Sequence, residues 1–167
     1  LIKSTPDQGG VDFFGMTSGH NSDNPIEGFK AWIEYALQNN PNITIFISLA
    51  PFDFPAGDPN GTRPDWDTLA ADNGFSSIQE MFDFYINEIL HNEIVDQLRI
   101  EFPSTKIFTI PTGWATFNLY QMNIDGLLLD QIDMFGPTAS SIFVDSKGHQ
   151  GDIVKNTGGL VWLNSIY

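Results

Sequence analysis

One stretch brings together the residue types needed to move a proton. In Phe143–Gly151 (FVDSKGHQG), His149 follows Asp145 by four positions, with Gly148 and Gly151 on either side of the histidine. An imidazole beside a carboxylate is a standard general base. The carboxylate holds one tautomer and stabilises the imidazolium that forms when a proton is taken. The plain alternative is a surface loop with an ordinary histidine. A second stretch, far away in sequence, adds weight to the chemical reading. Thr17–Asn21 (TSGHN) follows an apolar run and holds Gly19, His20 and Asn21. A side-chain amide at the end of a strand can donate to an oxyanion, and a glycine lets a substrate approach the backbone. For Asn21 the competing role is a turn or helix cap.

The elements that would position these residues can be read from the hydrophobic pattern. Val11–Thr17 reads as a buried strand feeding a turn-rich loop, Ser18–Pro25. Ile26, Phe29, Trp32, Ile33, Ala36 and Leu37 recur at helical spacing over 26–38. Ile43–Leu49 (ITIFISL) is β-branched and nearly continuous, as in a central parallel strand covered on both faces. Ser76, with Gln79 or Glu80 behind it, is placed to cap a long helix. Ile78, Met81, Phe82, Tyr85, Ile89, Ile94, Val95 and Leu98 line that helix, which reaches Glu101 as one piece or two. Lys106–Pro111 is a further buried strand, and Thr112–Gln121 a further helix packing Trp114, Phe117 and Leu119. Asn123–Ala139 is ambiguous. Ile142–Val144 leads into the histidine stretch, and Leu160–Tyr167 closes the chain as a helix after Gly158 and Gly159. Alternating strands and helices imply one α/β domain with a parallel sheet over 1–167. In such sheets ligands lie beyond the carboxyl ends of the strands.

At 167 residues, 41% hydrophobic and 13% aromatic, the chain is long enough for a sizeable core. A net charge of −14 argues against nucleic acid and against anionic membranes. No apolar run reaches the roughly 20 residues that cross a bilayer. With no cysteine, disulfides, thiolate metal sites and a cysteine nucleophile are excluded. No cofactor and no metal site is expected. The chain opens LIKSTPDQGG, without an initiator Met, which reads as a linker or an interior segment. Three strands make a narrow sheet. Together these suggest part of something longer, with one or two strands ahead of Leu1.

The segment Ala50–Gly74 reads as one long loop, rich in Pro and Asp. Loops of this length are usually functional. Phe52, Phe54 and Trp66 would form a sugar-stacking or acyl-binding wall, or pack on one another, and Trp114 would add to the substrate surface. Asp53, Asp58, Asp65, Asp67 and Asp72 offer a weak alternative, a calcium turn, but their spacing is not that of an EF-hand. His91 reads as a surface residue of the long helix. Asn42-Ile43-Thr44 and Asn60-Gly61-Thr62 match the glycosylation sequon. The first is discounted because it opens a buried strand.

VDFFGMTSGHN resembles the third conserved block of the SGNH/GDSL hydrolase superfamily, a strand ending in an oxyanion loop. IFVDSKGHQG, followed by a terminal helix, resembles that family's last block. The resemblance implies a flavodoxin-like three-layer α/β/α fold and hydrolysis of a carboxylic ester, either a carbohydrate acetyl ester or a lipid or small ester. It implies His149 as base, Asp145 as its orienting partner, Asn21 as oxyanion donor with Gly19 allowing approach, and His20 close enough to touch substrate. Secretion or a periplasmic location would suit it. Two departures stand out. Three residues separate Asp145 from His149 where the family has two, so either a bulge absorbs the extra one or Asp145 is not the partner. The family's Gly-Asp-Ser block has no counterpart between Leu1 and Val11. The nucleophilic serine is therefore expected upstream of this chain or on a second polypeptide segment. The competing reading is a non-catalytic α/β domain of the same ancestry that binds a ligand or packs in an assembly.

Overall fold

The computed structural model describes residues 10–18, 23–49, 66–128, 132–145 and 147–167, with the side chains of Ser18 and Leu49 set aside. It divides into two compact units, one of residues 1–49 and 83–110, the other of 50–82 and 111–167.

The first unit is built on a three-stranded parallel sheet. Strands β1 (Phe13–Ser18), β2 (Thr44–Leu49) and β3 (Lys106–Thr109) lie in the order β1-β2-β3. The registers Phe14↔Ile45 and Ile45↔Ile107 put Phe14, Ile45 and Ile107 on one face. Ile45 and Ile47 are fully buried there. Helix α1 (Glu27–Asn39) buries Phe29, Ile33 and Ala36, spaced four and three residues apart as a helix requires. Its Trp32 ring lies 6.1 Å from Phe14. Asn40 ends α1 and ties three segments together. Its Nδ2 donates to the Val11 carbonyl at 2.9 Å, and its Oδ1 accepts the Asn42 N–H at 2.9 Å. That junction fixes where β1 starts and where the chain enters β2.

The helical run towards β3 comprises α3 (Ile78–Phe84), a π-helical stretch (Tyr85–Val95) and α4 (Asp96–Glu101). The π winding answers the one-or-two-helix question in a third way. Its apolar pairs, Ile89–Leu90 and Ile94–Val95, repeat every five residues and are buried. In an α-helix, positions five apart diverge by about 140°. Bonds reaching back five residues return them to one face, as the Asp96 N–H does on the His91 carbonyl. His91 in this stretch is half-buried rather than a plain surface residue. Arg99 of α4 donates from Nε and Nη2 to the Ile107 carbonyl at 3.2 and 2.9 Å, satisfying part of the β3 backbone.

In the second unit, α2 (Trp66–Asp72) lies where a loop was expected. It ends in a Schellman motif at Gly74, whose φ is +87°. The Phe75 N–H reaches the Ala70 carbonyl, and the Gly74 N–H reaches that of Ala71. Asp67 on α2 accepts the first N–H of α3, from Ile78, at 3.0 Å. The capping box sits one residue later than the pattern suggested. Ser77 Oγ accepts the Glu80 N–H at 3.2 Å, while Glu80 reaches back to Ser76 at 2.6 Å. The carboxyl of Glu80 is held below its ordinary range, first by the Ser76 hydroxyl and then by the Ser76 N–H.

Helix α5 (Thr112–Ile124) runs further than the expected Gln121 and closes at Gly126, φ +67°, in a second Schellman motif. The ambiguous 123–139 region then supplies β4 (Asp133–Phe135), which pairs parallel with β5 (Ser141–Phe143). Only Asp133↔Ser141 and Phe135↔Phe143 are in register. The two strands run parallel although only residues 136–140 join them, a connection shorter than the dozen or so residues a parallel pair usually takes. The closing helix, α6 (Asp152–Ile166), starts well before the expected Leu160 and runs through both glycines. At Gly158 an added Cβ would stand 3.9 Å from the Thr112 methyl of α5, an ordinary contact distance, and the helix continues through it. The chain is thus mixed α/β with a small parallel sheet. No helix among the described residues is long and apolar enough to cross a membrane.

Candidate functional site

Asp145 and His149 close a tight hairpin at the end of β5. The Val144 N–H donates to the His149 carbonyl and the Gly151 N–H to that of Ile142, both at 2.8 Å. Phe143 and Gln150 pair antiparallel between these bonds. At the tip, the Gly148 N–H turns back to the Asp145 carbonyl at 3.1 Å, and Gly148 adopts φ +85°. A turn followed by a left-handed glycine is the usual three-residue hairpin loop, with the glycine taking up the bulge. In that loop the first and fifth residues are cross-strand neighbours. Asp145 and His149 thus stand side by side, and the Asp145 carboxylate is the histidine's partner.

The two carboxylate oxygens of Asp145 do different jobs. Oδ1 accepts the backbone N–H groups of Lys147 and His149, at 3.0 and 3.3 Å, and so locks the loop. Oδ2 faces His149 Nδ1 at 2.5 Å. Burial of Asp145 opposes its ionisation. The hydrogen bonds from the His149 ring and N–H, the charge of that ring and the Lys147 N–H outweigh it, and the carboxyl sits below its ordinary range. An ionised carboxylate has no proton to give, so Nδ1 is the donor and Nε2 is left as the basic nitrogen. Among the described residues Nε2 has no hydrogen-bond partner. The Asp145 side chain is 16% exposed and that of His149 53% exposed. This is a held carboxylate under an accessible ring.

The packing beneath the hairpin is aromatic. Trp66, 2% exposed, lies 5.1 Å from Phe143, 5.5 Å from Phe135 and 5.0 Å from Tyr120. Trp66, expected on a substrate wall, lies buried among these rings. Its place in a helix rather than a loop explains the difference, since Trp66 and Ala70 share the buried face of α2. Trp114 on α5 is half-buried and packs edge-on against Phe82 at 5.4 Å. Gly19, His20, Asn21, Phe52 and Phe54 lie outside the described residues, as do Asp53, Asp58 and Asp65 of the calcium alternative. Asp67 and Asp72, the other two of that set, lie on α2, where Asp67 caps α3. Among the described residues no three His, Asp or Glu cluster to hold a metal ion.

Asn42 is exposed on the turn ahead of β2, not inside the strand. Reading the residues missed the support under the hairpin. Ser141, fully buried, places Oγ 2.9 Å from the Pro137 carbonyl and 2.8 Å from that of Phe143. A serine starting a short apolar run after Pro137 is the only sequence signal for it.

Comparison of the chain with protein-family models, curated proteins and solved structures found no match.

Proposed function

We propose that this chain supplies the general base of a serine ester hydrolase of SGNH type, with a flavodoxin-like arrangement of its sheet. His149 takes the proton of a serine hydroxyl through Nε2 and returns it to the leaving alcohol. Asp145 holds the ring and balances the imidazolium. Asn21 donates to the oxyanion, and Gly19 lets the acyl group approach. The serine belongs to a segment upstream of Leu1 or to another polypeptide. The substrate class is a carboxylic ester, of a carbohydrate acetyl group or of a lipid or other small alcohol.

The observation that carries this reading is the division of labour at Asp145. One oxygen secures the loop, the other meets Nδ1 at 2.5 Å, and Nε2 stays unpaired among the described residues. A histidine serving only to close a hairpin has no need of a free basic nitrogen. The test is hydrolysis of p-nitrophenyl acetate by the protein as its source produces it. His149→Ala removes the base and should cost at least about a hundredfold in kcat, with far-ultraviolet circular dichroism unchanged. Asp145→Asn should lower kcat more than it raises KM. Wild-type rates in His149→Ala would end the assignment and favour a ligand-binding module.

A further inference from the structure

We propose that Gly151 is a positioning residue for His149, setting the strand register that brings the imidazole onto Asp145. Its backbone angles, φ −73° and ψ 174°, are open to any residue, so conformational freedom is not what it provides. Space is. A Cβ at this position would stand 2.2 Å from the Ser141 carbonyl oxygen and 2.9 Å from that of Ile142. Both are backbone atoms of a buried strand, and Ser141 is further tied through its hydroxyl to the Pro137 and Phe143 carbonyls. Neither carbonyl can swing aside as a side-chain tip would.

The consequence reaches His149, two residues away, through the hairpin stem. The Gly151 N–H on the Ile142 carbonyl and the Val144 N–H on the His149 carbonyl define one register. A side chain at 151 forces the return strand off β5 or slips it. A slip of one residue turns every side chain to the opposite face. The imidazole would then leave Asp145 Oδ2, and the carboxylate would keep only its loop bonds. Gly151 also precedes α6, where its carbonyl accepts the Lys155 N–H at 3.1 Å. The register of the pair and the start of the closing helix are therefore set at one residue. The catalytic meaning rests on the hydrolase reading above; the geometric role does not.

The experiment is proton NMR of the imidazole. In the wild type, the Nδ1 proton shared with Asp145 should give a strongly deshielded resonance, and the Asp145 carboxyl should titrate below the ordinary aspartate range. In Gly151→Ala the resonance should vanish and Asp145 should titrate higher than in the wild type, with circular dichroism showing the fold retained. Gly159→Ala, on α6 with nothing within 4 Å of its added Cβ, should leave both signals in place. A folded Gly151→Ala that keeps the deshielded proton and the low Asp145 titration overturns the proposal. If Gly151→Ala does not fold, hydrogen exchange in the wild type decides. The Val144 and Gly151 amides and the His149 Nδ1 proton must then open at one common rate, and an imidazole proton that exchanges independently of the stem overturns the register role. Loss of the proton in Gly151→Ala from a protein without hydrolase activity would uphold the register and sink only the hydrolase reading.

Discussion

Replacing Trp66 with alanine tests whether its ring is core or ligand surface. The ring is 2% exposed and touches Tyr120, Phe135 and Phe143, each at a centroid distance of 5.0 to 5.5 Å. Removing such a ring costs roughly 3–5 kcal/mol in lost transfer energy and residual cavity. For a chain of this length each kcal/mol moves the melting temperature by about 2–4 °C, so the fall should be roughly 6–20 °C. The variant should still fold in the cold, since domains carry about 5–15 kcal/mol. An exposed ring on a substrate wall would change stability by no more than about 0.5 kcal/mol. The assay is thermal unfolding followed by circular dichroism, with Trp66→Phe as a milder case that keeps an aromatic under Phe143. A fall of less than about 3 °C for Trp66→Ala would refute the core placement, because it corresponds to about 1 kcal/mol.

Other expectations follow from single contacts. The Asp145 carboxyl has a lower pKa in the folded protein than its ordinary 3.8. Its stabilising contribution is thus fully present above that value and lost as pH falls through the folded value. Asp145→Asn should therefore flatten the acid side of a stability-versus-pH curve below about pH 5 and leave its alkaline side unchanged; an acid limb of wild-type slope would show that the pairing adds nothing to the fold. Gly74→Ala meets no atom within 4 Å but must hold φ +87°, and should destabilise by about 1–2 kcal/mol in urea titration. Gly74→Asn should lose less, because Asn tolerates the left-handed region. Ser77→Ala removes the acceptor of the Glu80 N–H and should cost about 1 kcal/mol by the same titration.

The parts of the fold that were legible in the residues share one property. β1, β2 and β3 announce themselves because FFGM, ITIFISL and KIFTI are short apolar runs, but only the central β2 is buried on both faces as such a run suggests; Phe13 on β1 and Phe108 on β3 are exposed. α1 shows itself through Phe29, Ile33 and Ala36 at helical spacing. α2 was hidden because only seven residues are helical, and the preceding Asp- and Pro-rich run reads as loop. Gly74 with Ala70 four residues earlier was the available clue. The π stretch escaped because a five-residue repeat of apolar pairs looks, to a 3.6-residue template, like a blurred helix. β4 and β5 are three residues each and have no period to detect. At the site, residue types pointed to Asp145 and His149, but spacing alone left their pairing open. The hairpin decides it through Gly148 at φ +85° and the two stem bonds. Nothing in the residue types could show that Gly151 lies against the Ser141 carbonyl, because that contact exists only once the return strand is folded onto β5.

The most direct test of the base assignment is labelling with a fluorophosphonate, which forms an adduct only with a serine activated by a nearby base. The protein as its source makes it, together with any polypeptide that copurifies, is incubated with the probe and its mass is read intact. The account predicts one stoichiometric adduct on a serine outside these 167 residues, lost in His149→Ala and slowed in Asp145→Asn. An adduct that forms equally well in His149→Ala, or no adduct on any copurifying chain, would contradict it.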